Sequence, residues 1–158
     1  MSNPKLRIIV DSDDAGSGHR KALLAMLESD SRVEVVSSDV SSPESHEPYP
    51  RVALAAAKAI TAGYADRALL ICGTGLGMAI SANKVRGVRA VTAHDGYSVE
   101  RSVLSNNAQV LCFGQRVIGL ELAKHLVNIW LNLRFDPQTQ SAEKIALITD
   151  FEQAQEKY

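Results

Sequence analysis

The sequence predicts an α/β protein, a three-layer α/β/α Rossmann-like fold around a parallel sheet of about five strands. Three observations carry that expectation. Short, β-branched apolar runs alternate with stretches of helical periodicity along the whole chain. The central run Ala68-Leu69-Leu70-Ile71-Cys72 is continuously apolar, as expected of a strand covered on both faces. Repeated β-α units then imply a parallel sheet with helices on both sides.

The elements follow in order. Leu6 to Val10 is a buried strand, followed by a turn over Asp11 to Gly16 and a helix from about Ser17 to Leu27. Val33 to Val36 is the second strand. Ser37 to Pro50, rich in Ser, Pro and acids, is a loop. Pro50 opens a helix that presents Val52, Ala55, Ala56, Ala59 and Ile60 on one face. After the central strand, Gly73-Thr74-Gly75-Leu76-Gly77 leads into a short helix ending near Asn83. Val88 to Thr92 and Val110 to Phe113 are further strands, with a helix near Ser98 to Ser105 between them. Gly119 to Leu133 is an amphipathic helix with Leu120, Ala123, Val127 and Trp130 at helical spacing. The tail from Ser141 to Tyr158 is also helical. With no internal repeat or linker, residues 1–158 make one domain.

Composition narrows the function classes. The chain has 158 residues, 46% hydrophobic and 22% charged, as in ordinary globular proteins. Its 17 basic residues nearly cancel 18 acidic ones, leaving a net charge of -1. That balance argues against nucleic-acid binding through a basic face. Cys72 and Cys112 are too few for a disulfide framework and lack zinc-site spacing, so no metal is expected. Met1 to Lys5 lead directly into the first strand, and no run approaches the ~20 apolar residues of a membrane span. A cytoplasmic protein is expected.

The candidate site lies where strands end, because parallel sheets bind ligands at their carboxyl ends. Three glycines within five residues, directly after a buried strand, let backbone N–H groups converge on a small oxyanion. The same glycines would equally serve a turn that needs positive φ. A dinucleotide fingerprint would need glycine at position 78, where this chain has Met78, and no Gly-Lys-Ser/Thr of a P-loop follows. Cys72 immediately precedes the loop. A thiol at a helix N-terminus is favoured as thiolate and suits a general base, though it would also serve as a small buried hydrophobe. Thr74 could place a hydroxyl in the same pocket. Asp13 and Asp14 end the first strand on the same rim, where they could orient sugar hydroxyls or cap the next helix. His94 reaches that rim too. Arg116 is either a phosphate anchor or a solvated side chain.

Taken together, Cys72-Gly73-Thr74-Gly75-Leu76-Gly77, Ser81-Ala82-Asn83-Lys84, Gly87-Val88-Arg89-Ala90, Asn106-Asn107 and Phe113 to Gly119 resemble the ribose-5-phosphate isomerase B family, which includes galactose-6-phosphate isomerase subunits. The resemblance covers nearly the whole chain. It implies cofactor-free interconversion of phosphorylated aldoses and ketoses through a cis-enediolate. It implies that Cys72 moves the proton between C1 and C2 and that Gly73, Thr74, Gly75 and Gly77 line the anion hole, with Thr74 assisting at the oxygens. Asp13 would hold sugar hydroxyls, Asn106 would contact substrate and Arg116 would bind phosphate. It also implies a homodimer or tetramer whose active site is shared between subunits, with the helix over 141–158 packing on a neighbour.

The departures from the family pattern bear on substrate. Ser105 stands where ribose-specific members carry the histidine associated with ring opening, and Asp13-Asp14 stands where Asp-His is usual. The two C-terminal phosphate arginines fall at Gln140 and Lys144, which leaves His94 and Lys144 as candidate replacements. A tetrose 4-phosphate cannot close a furanose ring, because its C4 oxygen is esterified. A ring-opening group would then be superfluous, and the pattern resembles the erythrulose-4-phosphate isomerase branch. The alternative is a non-catalytic sugar-phosphate-binding protein or an inactive partner subunit.

Overall fold

A computed structural model describes residues 4–42 and 46–155. Five parallel strands form one sheet in the order β2-β1-β3-β5-β4: β1 (Leu6–Ser12), β2 (Val33–Val36), β3 (Arg67–Cys72), β4 (Ala90–Thr92) and β5 (Val110–Gly114). All six residues of β3 are buried: the five of the predicted apolar run and Arg67 before them. β1 and β3 are adjacent and in parallel register, Val10 beside Leu69. The chain leaves β1 toward β2 and returns on the other side to β3, so the order reverses between these two strands. That is the crevice where open α/β sheets bind ligands.

Helices cover both faces. On one side lie α1 (Ser17–Glu28), α4 (Gly96–Leu104) and α5 (Leu120–Asn132), which bury Leu23, Leu27, Val99, Leu126 and Trp130 against Phe113 and Ile71. On the other lie α2 (Tyr49–Thr61) and α3 (Leu76–Ala82). The buried face of α2 is Val52, Ala53, Ala56 and Ala57, turned from the predicted stripe because α3 packs alongside as well as the sheet beneath. The predicted α5 face holds, with Leu126 and Leu131 added. The last helix, α6 (Ser141–Ala154), has no fully buried residue, and Leu147 and Phe151 are exposed. Its predicted continuation to Tyr158, the start of the chain at Met1 to Asn3 and part of the loop before α2 (43–45) lie outside the described residues.

The element ends differ from expectation for local reasons. β1 runs on to Ser12, and Asp13 then caps a short 3₁₀ turn, Asp14–Gly16, by accepting the Gly16 N–H at 3.2 Å. β4 begins only at Ala90, because Val88 N–H closes a turn onto Val85. α4 starts two residues early, where the Asp95 carboxylate accepts the Ser98 N–H at 2.7 Å. At the amino end of β3, the buried Arg67 guanidinium donates to the carbonyls of Trp130 (2.7 Å) and Leu133 (2.6 Å) and lies 5.2 Å from the Trp130 ring centroid. Burial brings its pKa down to about 10, so it stays charged at neutral pH and binds the open carbonyls ending α5. Among the described residues no helix is long and apolar enough to cross a membrane.

Candidate active site

Cys72 is the last residue of β3, and its side chain is almost wholly buried. The chain then turns through Gly73 and Thr74 to Gly75, which stands at φ +79° and caps α3. Only a residue without a Cβ adopts that conformation without strain. It aims the Gly75 N–H back at the sulfur, and the bond to Cys72 Sγ is 3.1 Å long. An N–H placed there stabilises negative charge on sulfur. The glycine loop therefore makes a positive-φ turn and directs one backbone amide at the Cys72 sulfur.

The loop after β5 closes onto the loop after β3. Gln115 N–H donates to the Cys72 carbonyl at 2.9 Å and Arg116 N–H to the Gly73 carbonyl at 3.1 Å. This lays the Arg116 side chain over Gly73, beside Asp13. Burial pushes the Asp13 carboxyl above its usual range, opposed by the N–H groups of Gly16 and Ala15 and by the Arg116 charge. Cys72, Gly73, Thr74, Gly77, Asp13 and Arg116 then line one open cavity of about 290 Å³. Thr74 is exposed at its mouth. Its Oγ1 accepts the Leu76 N–H at 3.3 Å, leaving the hydroxyl proton free to donate.

Tyr49, which the sequence did not single out, also lines this cavity. Its ring lies so close to Gly77 that a Cβ there would sit 2.6 Å from it. A bare glycine at the third loop position was the only hint in the sequence that a bulky group lies across it. A wider groove of about 520 Å³ runs beside α2 and the end of β2, lined by Val36, Ser37, Ser38, Asp39, Lys58 and Tyr64.

The other predicted residues are not among those lining the cavity. Asp14 points outward and pairs with His46, Nδ1 to Oδ1 2.9 Å, both side chains largely exposed. His94 uses its Nε2 to accept the Gly114 N–H at 2.9 Å, which fixes the remaining ring proton on Nδ1 in the neutral form. Burial lowers its pKa, so that neutral form is favoured. Asn106 lies at the far end of the sheet, just before β5. There Arg89 holds the carbonyls of Asn106 and Asn107 at 3.0 Å, and Asn107 takes a left-handed φ of +46°. Ser105, the C-cap of α4, lies at that same end. Lys144 is exposed on α6, a helix tied to the connection before β4 by Glu152 accepting the Gly87 N–H at 3.1 Å. Within one chain, then, Asp13, Cys72, Thr74 and Arg116 converge, whereas Asn106 and Lys144 do not join them.

Comparison with known proteins places the chain in a family. The model of a family described as Ribose/Galactose Isomerase matches residues 8–148. The chain is 58% identical to D-erythrulose-4-phosphate isomerase 2 of Mycolicibacterium smegmatis over 150 residues, 94% of this chain and 99% of that one. It is 41% identical to ribose-5-phosphate isomerase B of Escherichia coli over 121 residues, 77% of this chain and 80% of the other. The fold superposes on ribose-5-phosphate isomerase B of Clostridium thermocellum with a TM-score of 0.85 at 34% identity, covering 94% and 99% of the two chains.

Proposed function

We propose, from the premise that this chain belongs to the Ribose/Galactose Isomerase family and is a sugar-phosphate aldose–ketose isomerase, that Cys72 is its base and a four-carbon sugar phosphate its substrate. The observation that carries the first part is the Cys72 sulfur, 3.1 Å from the Gly75 N–H in a cavity shared with Arg116. In this reading the thiolate takes the proton from the carbon beside the carbonyl. The electrons of that C–H bond move into an enediolate, whose negative oxygen is met by amides of the Gly73–Gly77 loop. The thiol then returns the proton to the neighbouring carbon, and the Thr74 hydroxyl shuttles the proton between the two oxygens. Asp13 holds sugar hydroxyls and Arg116 holds the phosphate.

The four-carbon reading is supported by the 58% likeness to an erythrulose-4-phosphate isomerase and by Ser105, a side chain unsuited to opening a furanose ring. Asn106 and Lys144, remote from Cys72 within one chain, belong in this reading to the site of a neighbouring subunit. The enzyme would then be a homodimer or tetramer, with α6 packed on the neighbour and a cytoplasmic location.

The experiment compares erythrulose 4-phosphate with ribose 5-phosphate on one preparation, in D₂O, for wild type and Cys72→Ala. We expect a higher kcat/KM on the tetrulose phosphate. We also expect solvent deuterium in the product, and loss of turnover by at least about a hundredfold in the folded variant. Greater kcat/KM on ribose 5-phosphate removes the substrate assignment, and near-normal turnover by Cys72→Ala removes the thiol as base.

A further inference from the structure

We infer that Thr92, on the edge strand β4, is a positioning residue whose hydroxyl keeps the Gly75 N–H on the Cys72 sulfur. The inference rests on the reading of Cys72 as the base and adds a residue behind the site, outside the cavity lining. Thr92 Oγ1 donates to the Gly75 carbonyl at 2.8 Å. That carbonyl also accepts the Ala79 N–H at 3.2 Å, the first bond of α3. Gly75 is thus held from two directions on its carbonyl side, at the left-handed φ that turns its N–H toward Sγ. The Thr92 methyl fills the space behind it, 3.0 Å from where a Gly75 Cβ would stand.

The same strand holds the other end of α3. The Asn83 side chain, at the C-cap, donates to the Ala90 carbonyl at 2.9 Å and accepts the Ala90 N–H at 2.8 Å. A three-residue strand therefore clamps both ends of the seven-residue helix that starts at the glycine loop. Such a short helix has little intrinsic stability, so its first turn depends on outside contacts. Strand formation itself does not call for a hydroxyl at position 92, since valine has equal or better β propensity and the same shape. The Oγ1 is left with the Gly75 contact as its visible role.

The test is Thr92→Val, with Thr92→Ser as the restoring control. We expect kcat to fall about tenfold in Thr92→Val with KM changed less than about twofold, the split expected when support is lost mainly in the transition state. We further expect the pH profile of iodoacetamide modification at Cys72, followed by peptide mass spectrometry, to move to higher pH in Thr92→Val. Thr92→Ser should return both readouts to near wild type. Cys112 does not confuse the assay, because it is wholly buried and burial pushes its thiol pKa up. An alkylation profile that stays put in Thr92→Val overturns the inference, whatever happens to kcat. So does a shifted profile that Thr92→Ser fails to restore. Alkylation reports on the sulfur independently of turnover, so the result stands apart from the test of Cys72 as base.

Discussion

At one rim of the sheet four side chains share a cavity, while His94, which reaches the same rim, is engaged by the backbone. Cys72, Thr74, Asp13 and Arg116 were legible because each ends a strand or starts a loop at one rim of a parallel sheet, and topology alone brings such positions together. His94 satisfied the same rule, yet its Nε2 is taken up by a backbone N–H, and nothing local in the sequence announces a bond to Gly114 twenty positions away. That bond has a pH consequence. Burial sets the folded-state pKa of His94 below its unfolded value, so the unfolded chain binds more protons as the solution is acidified. The contribution to stability is complete above the ordinary imidazole range, about 6.5, and is lost as pH falls below it. Urea titrations from about pH 7.5 to 5 should show this decline, and His94→Gln should flatten it. Equal slopes in the two proteins would exclude His94 as the source. Asp11, whose pKa burial raises, acts in the opposite sense, in the lower carboxylate range.

Elements were legible where a pattern is repetitive and hidden where one contact decides. The unbroken run of β3 and the period of α5 needed only neighbours in sequence. The shortened β4 and the early start of α4 came from a turn at Val88 and a cap at Asp95. The segment from β3 to α3 shows both cases: its glycines predicted the turn, and bare Gly77 hinted at a bulky neighbour, but not that the neighbour is Tyr49. Gly75→Ala tests how strictly the turn depends on its backbone. An alanine at φ +79° costs about 1–2 kcal/mol, or roughly 2–8 °C in Tm. Its Cβ would also press within 2.9 Å of the Phe113 carbonyl carbon. Calorimetry should show the lowered Tm, and turnover should fall with it. An unchanged melting curve and rate would mean the loop tolerates a different path to the same function.

At the scale of the molecule, the layered architecture was legible because each βα unit specifies its crossover locally. Which faces remain uncovered was not legible, since that depends on packing between elements distant in sequence. α6 carries exposed Leu147 and Phe151, and Asn106 and Lys144 sit apart from Cys72. In the proposed assembly these features are explained together. Wild type should therefore sediment as a dimer or tetramer, and Leu147→Asp with Phe151→Asp should yield a folded monomer that has lost most of its turnover. A wild-type monomer with full activity would remove the shared site. A further consequence follows from how β3 is fastened. Arg67 rivets its first residue to the end of α5, and Gln115 secures its last one at the carbonyl of Cys72. The strand that carries the sulfur is thereby fastened at both ends, so in the proposed reading a sugar of another length would be met by changes among the other residues lining the cavity. Evolution within this architecture would change specificity there and leave the strand alone.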